Sequence, residues 1–133
     1  MNTPVLDRHL LRVVLLGILL PYGLHLPGLA IHGSDWLSPY FDRWAGIALV
    51  FNALPIATLV LLRVLFPRQT RAFRWATGFV FSFLVLAHLL VYLGSSEWDM
   101  VVLMVVPLWA IAAALIGWIV GLIAGLVSRI PGV

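Results

Sequence analysis

Four long stretches of this chain carry no Asp, Glu, Lys or Arg: residues 13–34, 44–62, 75–96 and 100–128, of 22, 19, 22 and 29 residues. No other feature restricts the fold as strongly. A helix needs about 20 apolar residues, at 1.5 Å each, to cross roughly 30 Å of hydrocarbon, and each stretch suffices. Strands could cross only as a closed barrel with an alternating pattern, whereas Val13–Leu20 and Ala110–Ile116 are apolar on every side. The sequence therefore predicts an all-α polytopic integral membrane protein. It forms one domain over 1–133, with four transmembrane helices in an up-down bundle and spans near 12–31, 42–65, 73–94 and 99–127. Composition agrees, because a soluble surface needs roughly a quarter charged residues and this chain has 10%, against 63% hydrophobic.

The span ends carry independent signals. Ser38-Pro39 reads as an N-cap followed by a first-turn proline, Pro67 as a helix stop, and Ser96-Glu97-Trp98-Asp99 as a capping box opening helix 4. With both termini on one side, that side holds Asp7, Arg8, Arg12, Arg63, Arg68, Arg71, Arg74 and Arg129, a net +6. The other holds Asp35, Asp42, Arg43, Glu97 and Asp99, a net −3, and the two sides together give the +3 of the whole chain. Basic residues favour the cytoplasmic face, so the expected location is a bacterial-type inner membrane with both termini cytoplasmic. Trp36, Tyr40, Phe41, Trp44, Tyr92 and Trp98 form an aromatic belt at the opposite edge, and Trp75 marks the cytoplasmic one. Residues 1–30 also satisfy the small-x-small rule of a secretory signal at Gly28-Leu29-Ala30; the stretch is read as a retained first span.

Inside the spans, polar side chains are few and costly, which makes them informative. His25, Asn52 and His88 fall roughly 9–12 Å below the outer surface at 1.5 Å per residue, with Tyr22 and Tyr92 one helical turn from the two histidines. Pro21, Pro27, Pro55 and Pro107 lie near the same depth, each freeing a backbone carbonyl. An up-down bundle is expected to set helices 1 and 3 diagonally, with His25 and His88 facing across the centre. Such groups serve as interhelical glue. The same pair could instead hold haem b or line a quinone site, or pass protons or a small solute in a homo-oligomer. No carboxylate lies within a span, so the glutamate that small multidrug-resistance transporters carry in helix 1 has no counterpart, and that family is excluded.

Helix 4 repeats small residues every four positions at Ala113, Gly117, Gly121 and Gly125, the pattern that lets helix backbones approach closely. It packs either on helix 1 or 3 or on a second chain. Arg63, Arg68, Arg71 and Arg74 lie within twelve residues with no acidic neighbour, through topology alone or as a site for anionic lipid headgroups or an acidic partner. Catalytic residues are not expected: GxSxG, HExxH, GxGD and P-loop motifs are missing, and Thr58, Thr77 and Ser82 have no base placed near them in sequence. His32 and Asp35 are too few for a metal site. With no cysteine, disulfide and thiolate chemistry are excluded. Because the basic charge is confined to the bundle's ends, nucleic acid is not an expected partner. The expected function is non-enzymatic: a helix-packing subunit or interaction partner in a membrane complex, with immunity-type proteins as one member of that class. The lipid bilayer, a membrane-protein partner and self-association through helix 4 are its expected contacts.

Overall fold

The structure, a computed structural model, describes residues 8–37, 45–92 and 99–128. Those residues are helical nearly throughout: α1 (Arg8–His32), a 3₁₀ turn (Ser34–Leu37), α2 (Ala45–Leu65), α3 (Thr70–Tyr92) and α4 (Asp99–Val127). Local chemistry sets the ends. Gly33 stops α1 in the left-handed region at φ 78°, where its N–H donates to the Leu29 carbonyl at 3.0 Å. Pro67 follows the end of α2, and the chain reverses in a tight turn in which the Gln69 N–H donates to the Phe66 carbonyl at 3.0 Å. The Ser38-Pro39 start and residues 96–98 of the capping box lie outside the described residues.

Three helices are long and apolar enough to cross a bilayer, over Arg8–Ile31, Thr70–Leu90 and Val105–Val127. In α2 the apolar run is Leu49–Leu65, at the short limit of about 17 residues for a span. α1 and α3 begin at Arg8 and Thr70, ahead of the expected 12 and 73. Charge-free length bounds only the apolar run, whereas a helix can continue past its first charged residue, because a long arginine side chain can carry its charge away from the apolar surface.

Facing side chains give the helix directions. A Cβ on Gly17 would collide with Ile56, and a groove between the same two helices is lined by Val14, Ile18, Ala53 and Val60, so α1 and α2 are antiparallel. Gly117 faces Ala76 and Phe79 while Gly121 faces Ala72 and Trp75, so α3 and α4 are antiparallel too. His9 meets Phe73 edge-on at 5.9 Å between centroids, and Phe66 meets Trp118 at 5.5 Å. The first contact joins the starting ends of α1 and α3, which therefore run parallel, and with the two antiparallel pairs this makes α2 parallel to α4 as well. The bundle is up-down, but its order around the axis is α1, α2, α4, α3: α1 rests on α2 and α3 and scarcely meets α4. This corrects the expected diagonal of helices 1 and 3. They are neighbours, because the small-residue face of α4 draws α3 and α4 into the most extensive interface of the molecule.

The core follows that interface. Ala72, Phe73, Ala76, Val80 and Leu84 of α3 are buried against Ala110, Ala114 and Trp118 of α4, with Ile56 and Leu59 of α2 closing one side. α1 adds Val13 and Pro21 but is the most peripheral helix, with Leu15, Leu16 and Leu19 facing outward.

Candidate functional site: polar layer, glycine seam and basic end

Carried along the helices, these registers bring Pro21, Asn52, Pro55, His88 and Pro107 to a similar depth. All five are buried, and the three prolines lie inside their helices. Each proline removes one helical hydrogen bond, freeing the carbonyls of Gly17, Phe51 and Leu103. His88 is 3% exposed, and its Nδ1–H donates to the Leu84 carbonyl one turn back at 2.7 Å. Asn52 is 6% exposed, and its Nδ2 has no hydrogen-bond partner among the described residues. An amide donor left so costs about 1–3 kcal/mol. The side chains of His25 and Tyr92 lie outside the described residues, and Tyr22 is half-buried on α1. The structure therefore puts Asn52 and His88 inside the bundle, where neither can touch another protein.

That burial bears on cofactor chemistry. The Nε2 atom of His88 is enclosed by the chain, so a haem iron could reach it only after the packed helices part. As packed, His88 does not fit an axial haem ligand. No cluster of three His, Asp or Glu side chains suited to a metal occurs among the described residues. Two threonine hydroxyls on the apolar helices are committed locally: Thr58 Oγ1 donates to the Leu54 carbonyl at 3.0 Å, and Thr77 Oγ1 to the Phe73 carbonyl at 2.9 Å. Such bonds back onto the same helix satisfy a hydroxyl locally in an apolar setting.

The small-residue stripe of α4 lies against α3. A Cβ on Gly117 would stand 2.8 Å from Phe79 Cβ and 2.9 Å from Ala76 Cα; on Gly121 it would stand 2.5 Å from Ala72 Cα. Ala113 is buried beside them, whereas a Cβ on Gly125 would meet nothing within 4 Å. The sequence reading missed the matching half of this seam. Ala72 and Ala76 are themselves four apart, each followed three residues on by a bulky ring, Trp75 and Phe79, a small-xxx-small signal visible in the sequence. Gly17 went unnoticed as well, although it admits Ile56 into the α1–α2 contact.

The arginines gather at one end of the bundle, where α1 and α3 begin and α2 and α4 finish, but they differ in role. Arg63 folds over the turn: its Nη1 donates to the Pro67 carbonyl at 2.7 Å, and its guanidinium sits 5.6 Å above the Phe73 ring. Arg71 ties α3 to the end of α4 by donating to Ser128 Oγ at 2.7 Å. Arg68 and Arg74 are exposed and make no hydrogen bond or ion pair among the described residues. Two of the four cations are thus structural staples, and two present exposed forks with no partner among the described residues. No known protein family matches this chain, and no curated protein or solved structure does so either.

Proposed function

We propose that the chain is a non-enzymatic integral protein of a bacterial inner membrane that works by binding. It acts as a small subunit or regulatory partner in a membrane complex, the class to which immunity-type proteins belong, with the arginine end in the cytoplasm. The observation that carries this reading is the girdle of the bundle. Leu16, Leu19, Leu61, Leu90, Ile119 and Ile123 are exposed around it, while Asn52, Thr77 and His88 are turned inward. A soluble monomer rarely exposes an apolar belt of this extent. Because Gly117 and Gly121 are filled by α3 of the same chain, contact with a partner helix falls to this girdle.

Two measurements test the proposal. The chain should resist alkaline washing of membranes, and reporter fusions after Gln69 and Val133 should both read as cytoplasmic. Extraction by alkali, or fusions on opposite faces, would sink the membrane reading. Affinity purification in mild detergent should then recover a fixed set of membrane proteins at constant stoichiometry, and recovery of lipid alone would remove the partner reading.

A further inference from the structure

We propose that the outer surface of α3 and α4 forms a binding furrow for an anionic glycerophospholipid drawn from the leaflet at the arginine end. Arg74 takes the phosphate, and one acyl chain lies in the trough above it; the proposal rests on the membrane reading. Two adjoining hollows make up the furrow. The first, of about 360 Å³, is lined by Arg74, Trp75, Gly78, Phe79 and Ser82. The second, of about 430 Å³, shares Phe79 and Ser82 and continues between Leu86 on α3 and Trp109 and Ile116 on α4. Together they run along α3 from Arg74 to Leu86, about 18 Å at 1.5 Å per residue, close to the roughly 15 Å depth of one leaflet's hydrocarbon.

Polarity changes along the furrow as a phospholipid requires. At its mouth stands the exposed guanidinium of Arg74, without a partner among the described residues, whose planar fork suits a phosphate bidentately. Arg68 adds a second exposed cation at the same end, and the sequence supplies only Asp7 as an acidic residue there. Trp75, its ring tilted against Phe79 at 6.2 Å between centroids, stands beside the mouth at the depth where indoles favour the interface. Beyond it the walls are almost wholly apolar. Gly78 forms the floor, and a Cβ built there meets nothing within 4 Å, so the hollow is open space rather than a packed seam. Charge complementarity at one end only is what selects a lipid over a second helix, which would leave Arg74 unmatched.

The full-length protein in mild detergent is analysed by native mass spectrometry with added dioleoyl-phosphatidylglycerol, dioleoyl-phosphatidylcholine or inorganic phosphate. One phosphatidylglycerol should bind in preference to phosphatidylcholine, and Arg74→Gln should cut that preference about fivefold, the conversion of roughly 1 kcal/mol per arginine at an anionic surface. Gly78→Phe should abolish retention of the lipid while leaving the lipid-free thermal midpoint unchanged, because its ring enters vacant space. Equal binding of the two lipids, retention undiminished in Gly78→Phe, retention of phosphate alone, or a second copy crosslinked through residue 78 would each overturn the proposal. If these fail while the protein still resists alkaline washing, the furrow is wrong and the membrane reading stands.

Discussion

Substituting Gly121 by alanine adds one methyl group at the tightest point of the α3–α4 seam. The new Cβ would stand 2.5 Å from Ala72 Cα and 3.0 Å from Trp75 Cβ. Carbon atoms rest at about 3.5–4.0 Å, so the two backbones must part by roughly 1 Å. Neither obstacle is the far end of a flexible side chain. Overpacking of this kind costs about 1–3 kcal/mol, and separation of the seam also loosens Ala76 against Gly117. Alanine recovers up to about 1 kcal/mol through its better helix propensity. The net expectation is a loss of about 1–2 kcal/mol. Gly125→Ala is the matched control, because it gains the same propensity and meets nothing within 4 Å. Unfolding in mild detergent micelles, driven by a denaturing detergent and followed by tryptophan fluorescence, should rank the proteins as Gly125→Ala at or above wild type and Gly121→Ala clearly below. Coincident midpoints for the two variants, or a more stable Gly121→Ala, would refute the argument that backbone proximity sets stability here.

Two further substitutions probe the interior. Asn52→Leu removes a buried donor with no partner among the described residues, so stability should hold or rise, by up to about 3 kcal/mol; a clear drop in the unfolding midpoint would show that the amide is satisfied. Leu59→Ala, at a fully buried site, should cost about 2–5 kcal/mol, whereas Leu61→Ala on the exposed girdle should cost far less because lipid or detergent fills the gap. Similar losses at both positions would place Leu61 against protein rather than lipid.

Much of the architecture is legible in the sequence because hydropathy and charge act through a single variable, depth along the membrane normal. The charge-free run after Asp99 marks α4 at both ends, and Pro67 marks the α2–α3 turn. What hydropathy cannot encode is the order of helices around the axis. All four are apolar on most sides, so no stripe says which neighbour each prefers, and the default circular order misplaces α1 and α3. Shape settles the matter through Ala72, Ala76, Gly117 and Gly121, whose small side chains specify one pair of faces. The same division holds for the candidate sites. The polar layer is readable as a depth, but the inward turn of Asn52 and His88 depends on helix rotation. The arginine cluster is readable as a charge, whereas the split between staples and exposed forks depends on the reach of Arg63 to Pro67 and of Arg71 to Ser128.

The peripheral seat of α1 has a mechanical corollary. A tip pulling the amino terminus from a bilayer works first against Val13, the Gly17–Ile56 notch and the His9–Phe73 edge, and meets the glycine–alanine zipper only afterwards. Extraction should therefore proceed in unequal steps: a weak rupture that frees α1, a further one as α2 leaves α4, then a stronger one in which α3 and α4 leave as a hairpin. Drawn from the carboxyl terminus, the order of forces reverses.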